Sequence, residues 1–202
     1  MKLYTSPGAC SLADHIALQW TGAPYEAQIV SRDDRQQPWY RALNPAGAVP
    51  VLQNGDWTLT QNAAILNYIA DKFPAAKLGG DGSPEGRAEV NRWLGFLNAD
   101  VHPAFHPLFG STGSLGAEAE AKAKEQAMGK LRGYFQRADA QLAGKDWLTG
   151  SRSIADPYLF VVTQWAKQLG VDLSGFDNLA GFDKRMAADP GVQTAMKDEG
   201  LI

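Results

Sequence analysis

The single cysteine of the chain, Cys10, stands in the segment YTSPGACSLADH (residues 4–15), after a Pro-Gly pair and at the start of a predicted helix. The first turn of a helix offers unpaired N–H groups and the positive end of the helix dipole. Because both stabilise a thiolate, we expect the pKa of Cys10 to lie below that of a free cysteine. The alternative is a buried, inert cysteine, since free cysteine is among the most buried residue types. Ala13 stands where the second cysteine of a Cys-x-x-Cys motif would be, so a resolving thiol has to come from outside the chain.

Two histidines, His102 and His106, are four residues apart and therefore share one face of a predicted helix. A metal pair is conceivable, but further ligands are not evident in the sequence, and we predict no metal. One cysteine also excludes four-cysteine zinc sites and an internal disulfide. The third histidine, His15, lies within the first predicted helix and is interpreted as structural.

Two segments could bind a ligand through their backbone. A cis bond between Val49 and Pro50 would turn the N–H and C=O of Val49 outward, where a peptide-like ligand can pair with them as an added strand. The low general frequency of cis X-Pro bonds argues against this geometry. Gln61 and Asn62 follow Thr60 at a predicted helix start, whose free N–H groups suit a carboxylate. Simple capping, with Thr60 as the cap, is the alternative.

The elements that position these residues begin with an α/β pattern. Leu12, Ile16 and Trp20 share a helix face, and Asn54-Gly55 between two β-like runs is a strong hairpin signal. The predicted order is β-α-β-(α)-β-β-α, with a βαβ first half and a hairpin followed by a helix in the second half. The predicted elements are strands at 2–6 and 25–30, a helix at 10–21, a hairpin at 49–60 and a helix between Thr60 and Pro74.

A segment rich in Gly, Ser and Pro, LGGDGSPEG, is typical of an interdomain linker. Beyond it only helical patterns are convincing, apart from a predicted loop at 110–116. Ser153 and Asp156 form a pair that resembles a capping box. The helix that begins there is apolar nearly all round, so we expect it to be central and buried. Two shorter helices divide near Asp189-Pro190. We therefore predict an α/β domain at 1–77, a linker at 78–86 and an all-helical domain at 87–202.

The composition excludes several classes of protein. The 202 residues are 45% hydrophobic and 20% charged, with a net charge of -3, so no basic field attracts nucleic acid. No apolar run approaches the ~20 residues that span a bilayer, and the first residues lack the apolar region of a signal peptide. A lone cysteine persists best in a reducing compartment. We expect a cytoplasmic protein without nucleic-acid or membrane partners.

Motifs distributed over the whole chain carry a family resemblance. They are PGACSL (7–12), NPAGAVPVL (44–52), LTQNAAILNYIAD (59–71), WLGFLNADVHPAFHPLF (93–109), SIADPYLF (153–160) and EGL (199–201). In this order they resemble the glutathione transferase family, and more narrowly its bacterial beta class, which carries a cysteine in its glutathione site. The resemblance implies a thioredoxin-like N-terminal domain, a helical C-terminal domain that contributes the electrophile pocket, and a homodimer. It also implies glutathione as a co-substrate, no tightly bound cofactor and a role in detoxification.

The same resemblance implies roles for particular residues. Cys10 faces the glutathione sulfur and can form a mixed disulfide with it, and His102 is the histidine of the site. Ser11 is a rival hydroxyl for holding the glutathione thiolate, with capping or strand packing as its alternative role. His106 contacts the second substrate or has no role. The implied glutathione contacts are Val49, Pro50, Gln61, Asn62 and Arg35, with Arg32 as the alternative to Arg35. The resemblance to thioredoxin-like folds also implies a cis Val49-Pro50 bond, despite the low general frequency of such bonds.

The sequence departs from the family pattern at three positions near the site. Gln61 stands where beta-class relatives usually carry an acidic residue, and it brings no charge to the amino group of the ligand. Gly95 replaces a polar Asn, and Pro103 replaces a Lys. Because Pro103 removes a helix hydrogen bond, we expect a kink there. Asp100 is expected to reach the neighbouring subunit's glutathione site.

Three functions remain open at this point. The first is a glutathione transferase that conjugates glutathione thiolate to hydrophobic electrophiles, exchanges glutathione mixed disulfides through Cys10, or does both. The second is a specialised glutathione-dependent dehalogenase or isomerase. The third is a non-catalytic relative that binds ligands or regulates a partner; the presence of both Cys10 and His102 argues against it.

Overall fold

A computed structural model describes residues 1–110 and 112–202, with the exception of the Leu115 side chain. The N-terminal part is built on one sheet in the order β2-β1-β3-β4. Strands β1 and β2 are parallel, and the other neighbours are antiparallel. The predicted βαβ unit and hairpin are therefore confirmed. The strands are β1 (Lys2–Thr5), β2 (Glu26–Ile29), β3 (Val51–Asn54) and β4 (Trp57–Thr60).

The helices follow the predicted positions closely. They are α1 (Ser11–Thr21), α2 (Pro38–Leu43), α3 (Asn62–Lys72), α4 (Pro84–Phe96), α5 (His102–Ala104), α6 (Ala117–Gln141), α7 (Ala155–Gln168), α8 (Asp177–Ala188) and α9 (Pro190–Asp198). Short 3₁₀ turns lie at Asp34–Gln36, Pro74–Ala76 and Gly113–Leu115. Of the predicted loop 110–116, residue 111 lies outside the described residues. None of the described helices combines the length and apolar character needed to cross a membrane.

Helix α4 begins inside the predicted linker. Ser83 caps it by accepting a hydrogen bond from the Gly86 N–H at 2.9 Å, and Pro84 occupies the first helical position, where a missing N–H is tolerated. The division of the chain into 1–77, 78–86 and 87–202 remains a prediction.

The main hydrophobic core runs through both parts of the chain. It includes Leu3 of β1, Ile16 of α1 and Ile69 of α3 as well as Phe160 of α7, all of them almost fully buried. Helix α7 is buried along most of its length, which confirms the predicted central helix. Helix α1 packs against both α7 and α9, so its first turn lies where the sheet meets the helical part.

The start of α7 is fixed by a buried carboxylate. Asp156 accepts hydrogen bonds from the Ser153 N–H at 2.7 Å, the Ser153 hydroxyl at 2.9 Å and the Leu148 N–H at 2.9 Å. The Ser153 hydroxyl in turn accepts from the Ala155 N–H at 3.3 Å. This reciprocal arrangement confirms the capping-box interpretation.

The helix that leads to the two neighbouring histidines changes its winding. Regular α4 ends at Phe96, and Leu97–Val101 form a π turn before α5 begins. The His102 N–H bonds to the Leu97 carbonyl, five residues back. Pro103 has no N–H to donate, and its ring would clash with the carbonyl four residues before it in a regular α-helix. A π turn therefore lies just before Pro103, and the kink expected there stays a prediction.

Candidate active site

A cavity of about 150 Å³ lies between the start of α1, the loop before β3, the start of α3 and the helical part. It brings together six of the residues singled out in the sequence: Cys10, Val49, Pro50, Gln61, Asn62 and His102. Further lining residues, which sequence reasoning missed, are Asn44, Ala46, Ala48, Thr60, Asn98 and Tyr158. All six lie within the quoted family motifs and could have been found there.

Cys10 occupies the N-cap position of α1, as the sequence predicts, and its side chain is partly buried. Its Sγ lies 3.6 Å from the Val49 carbonyl oxygen. Burial raises the pKa of the Cys10 thiol to about 12, and the nearby Asp14 carboxylate contributes to the rise. The N–H groups of Ser11 and Cys10 act in the opposite direction but do not compensate. The prediction of a lowered Cys10 pKa is therefore wrong, because desolvation of the thiol raises the pKa by more than the N–H groups at the helix start lower it.

The turn that precedes Cys10 is held from two sides. The Gly8 N–H donates to Glu199 Oε2 at 3.1 Å, and the Gly8 carbonyl accepts from Trp165 Nε1 at 2.7 Å. Glu199 belongs to the EGL motif near the end of the chain, and Trp165 lies on α7. Both residues therefore position Cys10 without lining the cavity.

Ser11 points away from the cavity. Its side chain is fully buried, and its Oγ lies 2.7 Å from Thr5 Oγ1 and accepts from the Ser6 N–H at 3.2 Å. Thr5 Oγ1 is also 2.7 Å from Glu199 Oε1, which lies 3.1 Å from His15 Nδ1. The hydroxyl of Ser11 is thus part of a buried hydrogen-bond network. This agrees with the alternative prediction, in which Ser11 has a packing role and does not hold the glutathione thiolate. His15 is a core residue, as predicted.

The Val49-Pro50 bond is cis, the geometry on which backbone pairing with a ligand depends. The loop before it is held by hydrogen bonds from the Tyr40 hydroxyl and the Asn44 amide to the Ala48 carbonyl, at 2.9 and 2.8 Å. Val49 is therefore presented to the cavity by a loop with defined internal contacts.

Gln61, rather than the predicted Thr60, is the N-cap of α3. Its φ of 77° and ψ of 115° are unusual for a residue with a side chain, and that side chain makes no capping hydrogen bond. Thr60 is instead the last residue of β4, which corrects the capping prediction. The side chain of Gln61 is exposed, and Gln61 and Asn62 both line the cavity.

The side chain of Asn62 is turned inward. With its amide assigned to satisfy both neighbours, the nitrogen donates to Asp14 Oδ2 at 2.5 Å and to the Cys10 carbonyl at 3.3 Å. Asn62 is nearly fully buried, so its backbone rather than its amide is what the start of α3 offers to a ligand.

His102 lies across the cavity from α1. Its Nδ1 is 2.7 Å from the Tyr158 hydroxyl, which also lies 3.3 Å from Asn98 Oδ1. Burial lowers the pKa of His102 to about 4, and the neighbouring His106 contributes to the decrease. Burial also raises the pKa of Tyr158, so both groups are neutral at physiological pH.

His106 lies outside the lining of this cavity, on an aromatic surface next to it. Its ring centroid is 6.0 Å from that of His102. Phe109 is 51% exposed, stacks on Phe105 and packs edge to face on Trp165 at 5.3 Å. An exposed phenyl ring fixed by buried aromatic neighbours offers apolar surface to a second ligand.

Arg35 also lies outside the cavity lining but acts on it. Its positive charge opposes the rise in the pKa of the Cys10 thiol. Its Nε is buried and has no hydrogen-bond partner among the residues that the structure describes. Arg32 is exposed. Within residues 1–110 and 112–202 no group of three or more His, Cys, Asp or Glu side chains is arranged to hold a metal.

Comparison with known proteins gives consistent matches over the whole chain. Residues 10–79 match the family model "Glutathione S-transferase, N-terminal domain", and residues 89–190 match "Glutathione S-transferase, C-terminal domain". The chain is 55% identical to glutathione S-transferase GST-4.5 of Xanthomonas campestris over 203 positions, which cover 100% of both chains.

Solved structures also match over the whole chain. The glutathione S-transferase from Xylella fastidiosa superposes with a TM-score of 0.97 at 55% identity, covering 100% of this chain and 99% of that one. The bacterial beta class glutathione S-transferase of Sphingomonas chungbukensis gives 0.88 at 40% identity, and a sphingomonad glutathione S-transferase complexed with glutathione gives 0.87 at 38%. Both of these comparisons cover 100% of each chain.

Proposed function

This chain belongs to the glutathione S-transferase family and is a glutathione transferase, and we propose that it binds glutathione in the cavity beside Cys10 and joins it, through its thiolate, to hydrophobic electrophiles. The observation that carries the proposal is the convergence on one cavity of Cys10, the cis Val49-Pro50 bond, the start of α3 and the neutral His102–Tyr158 pair. A sphingomonad relative has been solved in complex with glutathione.

In the proposed complex each part of glutathione has a matching group. The Val49 backbone pairs with the peptide portion as an added strand. The N–H groups at the start of α3 bind the γ-glutamyl carboxylate, and Gln61 accepts from the amino group. Arg35, whose Nε has no partner in the described chain, binds the glycine carboxylate in preference to the exposed Arg32.

We assign conjugation as the main reaction. The glutathione thiol releases its proton to water, and the N–H groups at the start of α1 together with the Tyr158 hydroxyl stabilise the thiolate. The thiolate then attacks an electrophile that lies on the aromatic surface formed by Phe109 and His106. A carbon–sulfur bond forms, and the electron pair passes to the leaving group or into the electrophile. Neutral His102 holds the Tyr158 hydroxyl in place.

Disulfide exchange through Cys10 is the second candidate. It needs the Cys10 thiolate as the nucleophile, which attacks a glutathione mixed disulfide and displaces the other thiolate. A thiol whose pKa is about 12 supplies little thiolate at neutral pH, so we expect exchange to be slower than conjugation. The specialised dehalogenase or isomerase and the non-catalytic relative are not favoured, because the relative at 55% identity is named a glutathione S-transferase.

Several finer assignments accompany this proposal. The match to a bacterial beta class enzyme over the whole chain supports the cysteine-type beta class. We also propose a homodimer in which Asp100 approaches the glutathione site of the neighbouring subunit, and a role in detoxification. The cytoplasmic location, the absence of a tightly bound cofactor and the absence of nucleic-acid and membrane partners stay predictions from the sequence.

Two measurements test the proposed function. Calorimetric titration with glutathione should give saturable heat, and glutathione at millimolar concentration should raise the melting temperature. Absence of both would refute glutathione binding in this cavity. Cys10→Ala should then abolish reduction of glutathione mixed disulfides but retain conjugation, whereas His102→Ala should weaken both reactions. Exchange that survives in Cys10→Ala would contradict the role of Cys10.

A further inference from the structure

Asp14 is a buried acid that the proposed reaction does not use. It lies in the first turn of α1, one helical turn after Cys10, so the two side chains share a face of the helix. Its carboxyl is fully shielded from solvent. The burial of Asp14 has to be offset by other interactions, because burial of an ionisable carboxyl is unfavourable unless the carboxyl is neutral or well paired.

The contacts of Asp14 connect it to the thiol site. The Asn62 amide donates both to Asp14 Oδ2 and to the Cys10 carbonyl, at 2.5 and 3.3 Å. Asn62 is also the first residue of α3, where the carboxylate of the ligand is expected to bind. Asp14 therefore holds in place a residue that touches both the cysteine and the ligand-binding helix start.

The charged and titratable groups around Asp14 come from each element packed against it. The α1 side contributes the Cys10 thiol, α7 the Tyr158 hydroxyl, and the segment after α9 the Glu199 carboxylate. Glu199 is in turn paired with His15. An ionised Asp14 raises the pKa of both the Cys10 thiol and the Tyr158 hydroxyl. Burial and the charge of Glu199 hold the pKa of Asp14 itself well above its usual range.

We propose that Asp14 is a positioning residue that sets the charge of the thiol site: its buried carboxylate opposes a second negative charge there, so a thiolate at or beside Cys10 forms more readily when residue 14 is uncharged. The two groups share one negative charge, as either thiol with carboxylate or thiolate with carboxylic acid. Loss of a second proton to water would place two negative charges in the same buried region, which is unfavourable. For bound glutathione this inference rests on the proposed function, whereas for Cys10 it does not.

The test compares Asp14→Asn with the wild type by following the alkylation rate of Cys10 against pH. The Asn side chain has nearly the same shape but no charge. We expect the midpoint of the thiol titration to fall by about one pH unit, which corresponds to about tenfold more thiolate at a given pH below the midpoint. Asp71→Asn is the matched control, because it removes an exposed carboxylate paired with Arg87 at the far end of α3.

A second variant and a second readout complete the test. Asp14→Ser also removes the charge and should lower the midpoint if the Asn variant does not fold. With glutathione present, the rising limb of kcat/KM for conjugation should move to lower pH in the same variants. An unchanged midpoint in both Asp14 variants, or a decrease equal to that of Asp71→Asn, would overturn the proposal. If glutathione does not bind at all, the proposed function fails, but the Cys10 titration still decides the role of Asp14.

Discussion

The strained backbone of Gln61 allows stability and ligand binding to be separated by a single substitution. A non-glycine residue with a φ of 77° and a ψ of 115° stores about 1–3 kcal/mol of strain. Replacement by Gly removes this strain but adds flexibility to the unfolded chain, which costs about 0.5–1 kcal/mol. The Gln61 side chain is exposed and makes no capping hydrogen bond, so its loss removes no core contact. We therefore expect Gln61→Gly to raise the free energy of unfolding by about 1 kcal/mol.

Gln61→Ala is the matched control, because it removes the same side chain but keeps the unfavourable backbone conformation. Unfolding in urea should show the Gly variant as more stable than the Ala variant and than the wild type. Both variants should bind glutathione about 2- to 10-fold more weakly in calorimetry, because each loses one hydrogen bond worth about 0.5–1.5 kcal/mol. A Gly variant no more stable than the Ala variant would refute the reasoning about strain.

Two further predictions concern other parts of the molecule. Asp189 caps α9 by accepting from the Gly191 and Val192 N–H groups, and it also accepts from Trp20 Nε1 at 2.9 Å. Asp189→Ala should therefore lower the free energy of unfolding in urea by about 2 kcal/mol, and Asp189→Asn should lower it less. Equal losses in the two variants would contradict this prediction. Because burial lowers the pKa of His102 to about 4, its ring should titrate in NMR well below pH 6. Protonation of His102 should therefore not limit conjugation between pH 5.5 and 8. A titration midpoint near 6.5 would contradict the desolvation of this ring.

Features that depend on local chemistry could be predicted from the sequence. The hairpin at Asn54-Gly55, the capping pair at Ser153 and Asp156, and the break at Asp189-Pro190 are each set by a few adjacent residues, and the structure has all three. The presence of Cys10, Val49 and His102 at one cavity depended on the family resemblance, because their separation along the chain is not a local property.

Features that depend on burial could not be predicted in this way. The helix start alone favours an acidic Cys10, but the elements that cover the thiol come from distant parts of the chain and reverse the direction of the shift. The pairing of His102 with Tyr158 joins residues 56 positions apart. The inward orientation of Ser11 likewise requires Thr5 and Glu199, which no periodicity in the sequence connects.

The π turn at Leu97–Val101 also sets the direction in which each following side chain of this helical segment points. Each residue of an α-helix advances by about 100°, so the additional residue accommodated in a π turn rotates the following side chains by about that angle relative to an uninterrupted helix. The angular setting of His102 over the cavity is thus specified by the length of the segment before it and not only by the identity of residue 102. Regular α winding over Leu97–Val101 at the same chain length would rotate His102 by about 100° and carry the imidazole away from Tyr158, with the composition of the site unchanged.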